Sequence, residues 1–214
     1  MNLGTQTQNL RDFVLCNLQH TLAVPVLVAI LEDDLDRLEA INKIIIKMDE
    51  DAIEAARQGL DDGAVTPSYG PWRDEIVRLL NGALATELIC VLRYKRHHFT
   101  AHGLASPKIA EEFMVHANEE ASHADQLAER IIQLGGEPDF NPVGMLERSH
   151  ADYDTSTDLQ AMVRANLVAE RVAIESYRQM VALIGDKDPT TRRLLESILS
   201  VEEEHADELK DMLE

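Results

Sequence analysis

One short signature occurs twice in this chain and limits what the chain can fold into. Glu120-Ala-Ser-His123-Ala-Asp-Gln-Leu127 returns as Glu202-Glu-Glu-His205-Ala-Asp-Glu-Leu209. Residues three apart share a helix face, so each copy aims a carboxylate and an imidazole at one point. The preceding segments repeat too: Glu87 is followed seven residues later by Tyr94, and Glu170 seven residues later by Tyr177. Glu87 lies 33 residues before Glu120, and Glu170 lies 32 before Glu202. The second half thus duplicates the polar signature of the first. Such a pattern is the sequence form of a two-metal carboxylate site in a four-helix bundle.

The helices that would carry it are legible, and the fold class is all-α. Helix A is expected from Pro71 to about His102, with Gly103 as its stop. Helix B follows a Ser106 cap and ends near Leu134, before Gly135-Gly136. Helix C opens with the capping box Thr157-Asp-Leu-Gln160 and runs to Ile184. Helix D is capped by Asp188, with Pro189 next, and runs to the C-terminus. The short A–B and C–D loops make two antiparallel hairpins. The connection from Gly135 to Ser156 shows no obvious helix and is long enough to travel the length of the bundle. It predicts an up-down-down-up arrangement with one long B–C crossover. Upstream, Leu31, Leu35, Leu38, Ile41, Ile45 and Met48 recur at helical spacing, and Thr66 to Pro71 punctuates the chain. A helical N-terminal extension over residues 1–66 and a bundle over 67–214 follow. The extension could cover the bundle, mediate assembly or dock a partner.

The acids interrupt the apolar stripes, where acids least belong. Helix A's stripe reads Ile76, Leu80, Ala83, Glu87, Cys90, Tyr94; helix B's reads Ile109, Phe113, Ala117, Glu120, Ala124, Leu127, Ile131, with His123 beside it. Helix C gives Val163, Leu167, Glu170, Ile174, Tyr177, Val181, and helix D gives Leu195, Ile198, Glu202, His205, Leu209, Met212. Four buried carboxylates left unpaired would be prohibitively costly and would raise one another's pKa. Two divalent cations would cancel the four charges and two imidazoles would complete the coordination. Carboxylate with imidazole suits iron or manganese better than a tetrahedral zinc site.

The bulk numbers narrow the rest. With 39 acids against 20 bases the net charge is −19, which repels a phosphate backbone, so nucleic acid is not an expected partner. The longest apolar run, Ala23 to Leu31, is too short for a bilayer, and no secretory signal is evident. Two cysteines, Cys16 and Cys90, without Cys-x-x-Cys, exclude a rubredoxin-type or zinc-ribbon module and suggest a reducing cytoplasm.

From about residue 71 to 214, in helix order, loop lengths and all six ligand positions, the chain resembles the ferritin-like superfamily, and within it the bacterioferritin-related ferritins. The resemblance implies that Glu87 and Glu170 each ligate one metal terminally, that Glu120 and Glu202 bridge both, and that His123 and His205 ligate one each. It makes Tyr94 the tyrosine beside a di-iron centre. The position that carries the haem methionine in bacterioferritins is Ala121 here, so haem is not expected. The implied function is a ferroxidase that oxidises Fe(II) with O2 or hydrogen peroxide for iron storage or detoxification, in a cytoplasmic homo-oligomer. Two rivals stand beside it. One is another dimetal enzyme, such as a rubrerythrin-like peroxidase, a manganese catalase or a small oxygenase. The other is a non-catalytic assembly module worked by its extension.

The remaining polar residues carry smaller expectations. Tyr94 and Tyr177 could each hydrogen-bond a ligand carboxylate or supply an electron. His116 could guide iron on an inner surface. His97, His98 and His102 suit the C-terminal helix dipole. Asp125 and Asp207 are either partners of a ligand His on a neighbouring helix or surface residues.

Overall fold

The computed structural model describes residues 48–214; the expectations for residues 1–47, including most of the upstream amphipathic stripe, lie outside them. The chain divides into two compact units, Met1–Glu54 and Ala55–Glu214. Every described regular element is helical. A short helix α1 (Glu50–Ala55) and single turns at Leu60–Asp62 and Pro67–Tyr69 precede four long helices. These are α2 (Arg73–Thr100), α3 (Ser106–Gln133), α5 (Leu159–Ile184) and α6 (Pro189–Asp211). A one-turn helix α4 (Met145–Arg148) sits in the crossover.

The caps explain where the helices start. Asp188 accepts from Thr190 and Thr191 backbone N–H at 3.1 and 2.9 Å, as its position before Pro189 predicts. At α5 the cap is Asp158, accepting from Ala161 N–H at 2.9 Å, and not Thr157 one residue earlier. Helix α2 starts at Arg73 and not Pro71, because Gly70 takes a positive φ of 83° and its turn must close first. Ser106 is the first residue of α3 and not its cap; its hydroxyl donates to the Gly103 carbonyl at 2.8 Å.

Cross-helix contacts establish the direction of each helix. Between α2 and α5, Arg93 meets Asn166, Tyr94 meets Glu170 and Tyr177 meets Glu87. From Glu87–Tyr177 to Tyr94–Glu170 the numbers rise on α2 and fall on α5, so the pair is antiparallel. His116 with Glu208, Glu119 with His205 and Arg130 with Asp188 give the same result for α3 and α6. The chain therefore runs up, down, down, up.

The crossover is not bare loop. Met145 on α4 is buried against Ala85 and Ile89, the His150 N–H is accepted by Thr86 Oγ1 at 3.0 Å, and Arg96 donates to the Thr155 and Ser156 carbonyls. A four-residue helix is too short to register as periodicity, so only packing reveals it.

Two apolar clusters fill the bundle, one at each end. The first gathers Leu80, Leu84, Leu127, Ile131, Ile184, Leu195 and their neighbours; the second gathers Tyr94, Phe113, Ala117, Met162 and Leu209. Each fully buried Leu or Ile contributes about 1.5–3 kcal/mol. The four inward carboxylates lie between the clusters. Helix α5 buries Val163, Glu170 and Tyr177 of its expected stripe, but the buried face is turned toward other residues on one side. It buries Asn166, Ala169, Ala173, Met180 and Ile184, while Leu167, Ile174 and Val181 are half-buried on its flank. The small Ala169 and Ala173 let neighbouring side chains in, and Asn166 answers the buried Arg93.

Candidate metal centre

All six expected ligands converge at mid-height, and all six are buried. Donor atoms of Glu87, Glu120, His123 and Glu202 lie within 4.8 Å of one another, as do those of Glu120, Glu170, Glu202 and His205. Glu120 and Glu202 belong to both groups, so the centre is two overlapping four-residue clusters with two shared carboxylates. The helix period makes this possible: each Glu-x-x-His puts its pair on one inward face, and the antiparallel partners bring the faces together.

Several atoms facing this point have no partner. Glu120 Oε1, Glu170 Oε2, both Glu202 carboxylate oxygens and His205 Nδ1 are buried without a hydrogen bond. His123 Nδ1 stands 3.0 Å from Glu202, 3.2 Å from Glu120 and 3.6 Å from Glu87. Native interiors rarely leave so many acceptors unanswered in one place. The donor set, four carboxylates and two Nδ1 atoms, fits two divalent cations of the iron or manganese type.

The electrostatics are those of crowded acids. Burial and the charges of Glu202, Glu87 and Glu170 push Glu120 well above the usual carboxylate range. Burial and Glu202 push Glu170 up to about 8, and Glu202 also rises, through burial and Glu87. Glu87 moves the other way: burial opposes its ionisation, but contact with His123 and the Tyr177 hydroxyl outweighs it. Burial resists protonation of His123, yet Glu202 and Glu87 lift it to about 10.

The tyrosines cross over. Tyr94 follows Glu87 in sequence but donates to Glu170, while Tyr177 follows Glu170 and donates to Glu87. Both phenols are held protonated, first by burial and then by the charge of the carboxylate each touches.

Around the six stand groups that the pattern did not assign. His205 Nε2 donates to Glu119 at 2.9 Å, which leaves Nδ1 free to face the centre. Asp125 and Asp207 are exposed and fill no such role; the partner is Glu119, directly before Glu120. His116 is not on a surface. Its ring is fully buried, stacked on His205 with centroids 4.0 Å apart, and burial with its neighbour His205 keeps it below the ordinary histidine range. Neither is His97 a simple helix-end cation. It is buried, accepts from Asn166 Nδ2 at 3.1 Å and donates to Asp154 at 3.1 Å. His98 and His102 bond backbone carbonyls near the helix end. Arg93 is 1% exposed; it donates to Asn166 Oδ1 at 2.8 Å, the Asp152 carbonyl at 3.1 Å and the buried thiol of Cys90 at 3.5 Å. The whole set ties the crossover to the wall of the centre.

Fold and centre together define a class: up-down-down-up four-helix bundles with a carboxylate–histidine centre at mid-height. The ferritin-like domain matches residues 77–214, and the chain belongs to that family. It is 29% identical over 140 residues to a bacterioferritin of Mycobacterium leprae, covering 65% of this chain and 84% of that one. It is 32% identical over 135 residues to a nutrient stress-induced DNA-binding protein of Synechococcus, covering 62% of this chain and 77% of that one. Among solved structures it resembles a dodecameric thioferritin, the bacterioferritin-related protein of Bacteroides fragilis. That match has a TM-score of 0.64 at 33% identity, covering 66% of this chain and 85% of the other. The bacterioferritin of Desulfovibrio desulfuricans, whose diiron site is known in different catalytic states, gives 0.60 at 26% identity, over 67% and 82%.

Proposed function

We propose that the chain is a ferroxidase of the ferritin-like family, oxidising Fe(II) at a dinuclear centre for iron storage or detoxification. The observation that carries it is the pair of four-ligand clusters sharing Glu120 and Glu202, with unpartnered buried oxygens facing between them. Fe(II) is the substrate; two Fe(II) each give one electron to O2 or hydrogen peroxide. Bound there, the cations supply the electrons and the Lewis acidity.

The chain's own residues do the positioning. Glu120 and Glu202, shared by both clusters, would bridge two bound cations, Glu87 and Glu170 would each hold one, and His123 and His205 present Nδ1. Tyr177 and Tyr94 fix Glu87 and Glu170 by donating to them, and Tyr94 is the residue assigned to supply an electron. The Leu- and Ile-rich cluster at one end and the Phe113 cluster at the other keep bulk water from the centre. The relatives' names support iron chemistry, and the dodecameric relative supports a homo-oligomer. No described helix is long and apolar enough to cross a membrane, and the reading places the chain in the cytoplasm. The charge of −19 weighs against DNA as a partner of this chain, although one relative is named for it.

The test is anaerobic Fe(II) addition followed by O2, read by absorbance, with helical content measured by circular dichroism. Glu120→Ala and His205→Ala should each abolish rapid oxidation and leave the helices intact. Unchanged kinetics in both variants would sink the reading. Native protein carrying manganese and dismutating peroxide would instead favour a manganese catalase.

A further inference from the structure

Another cluster of side chains of metal-ligating type lies outside the six residues of the centre. Donor atoms of Glu112 and His116 on α3 and Glu208 on α6 lie within 4.8 Å of one another. His116 Nε2 is 2.9 Å from Glu208 Oε2 and 3.8 Å from Glu112 Oε1. Divalent metal bonds of about 2.0–2.2 Å place neighbouring ligand atoms roughly 3–3.5 Å apart, and the 2.9 and 3.8 Å separations bracket that spacing.

The hydrogen bonds say which His116 nitrogen is available. The Tyr94 O–H is directed to Glu170, so at its 3.1 Å contact with His116 Nδ1 the phenol oxygen accepts and Nδ1 carries the proton. The other ring nitrogen, Nε2, points at two carboxylates and hydrogen-bonds one of them, Glu208. One imidazole nitrogen and two carboxylates thus converge on one point. The ring cannot turn away: it stacks on His205 at 4.0 Å and meets Tyr94 edge-on at 5.2 Å. Solvent reaches the group from one side only. Glu112 and Glu208 are 30% and 44% exposed against none for His116, and they line a surface groove with Leu104, Ile109, Asp211 and Met212.

We propose that Glu112, His116 and Glu208 form a mononuclear site for a divalent transition-metal cation, separate from the dinuclear centre and open to solvent through the α3–α6 groove. One imidazole and two carboxylates suit Fe(II), Mn(II), Co(II) or Zn(II). Tyr94 and the His205 ring hold the ligand imidazole in place from behind. The site stands one stacked ring from the centre, so a cation bound there waits beside it.

Co(II) is the probe, because it is not oxidised under assay conditions. Equilibrium dialysis of the full-length protein at physiological salt should give three saturable Co(II) per chain. Glu112→Gln and Glu208→Gln, both at partly exposed positions, should each lower this to two. Glu120→Ala should keep the third ion while losing the dinuclear pair, so failure of one site is told from failure of the other. An anomalous-difference map from Co(II)-soaked crystals of the unmutated protein should show a peak among Glu112, His116 and Glu208. A stoichiometry of two unaltered by Glu112→Gln and Glu208→Gln, or a map without that peak, would overturn the proposal and leave a proton as the shared charge.

Discussion

Asp188 shows how much one side chain can hold together. It caps α6, pairs with Arg130 at 2.9 Å, and accepts from Tyr69 at 2.5 Å and from the Thr191 hydroxyl. Burial opposes its ionisation, but Thr191, Tyr69 and Arg130 bring its pKa down to about 2. Its stabilisation is therefore complete above the unfolded carboxylate value near 4 and is lost as pH falls through about 2. Asp188→Ala should cost about 3–5 kcal/mol in urea unfolding at neutral pH, because Arg130 is left buried and unpaired. It should also remove the part of the acid limb lying between these values. At the centre the sign reverses. Glu170, raised to about 8, and His123, raised to about 10, contribute stability that is present below their unfolded values and lost as pH rises through the folded ones. Chelator-stripped protein should melt at a lower temperature at pH 9 than at pH 6. A divalent ion at a hundredfold excess over its Kd should return about 2.7 kcal/mol per site, read as a Tm shift by calorimetry.

The elements explain why the centre is rigid. Where the chain leaves α3 beside the start of α2, a Cβ on Gly136 would meet Val77 Cγ1 at 2.6 Å and Ile131 Cγ2 at 3.1 Å. Gly136→Val should destabilise by about 1–3 kcal/mol through overpacking, with slower Fe(II) oxidation if the strain reaches Glu120. The crossover matters for the opposite reason. It is fixed by polar contacts to Arg93, Arg96 and Thr86, so Arg93→Met should loosen it. Hydrogen exchange should then rise at residues 150–156 before the long helices are affected.

For the whole molecule, storage chemistry requires a shell. Light scattering should return the mass of many copies of the 24.0 kDa chain, and oxidation should continue far beyond two irons per chain. A particle of one or two chains that stops at two irons would confine the function to dimetal catalysis. Val65 and Tyr69 pack against the bundle core, so deleting residues 1–54 should leave iron oxidation intact and remove any function belonging to the extension.

The sequence by itself determined the helical class, the two hairpins, the crossover and the six inward Glu and His side chains. Glu and His on an apolar stripe have too high a desolvation cost to be incidental, and their duplication marks them without any knowledge of neighbours. Only the tertiary structure decided who partners whom. Glu119 could not be told from Asp125 as the partner of His205, since only the packing of α3 against α6 brings Glu119 to it. Arg93 and Asn166 were invisible because 73 residues separate them, and Glu208 looked like one more surface acid on an acidic helix. Part of the buried face of α5 was legible, in Val163, Glu170 and Tyr177; Leu167, Ile174 and Val181 fell to the flank because periodicity ranks residues by hydrophobicity, whereas packing ranks them by what the opposite helix presents.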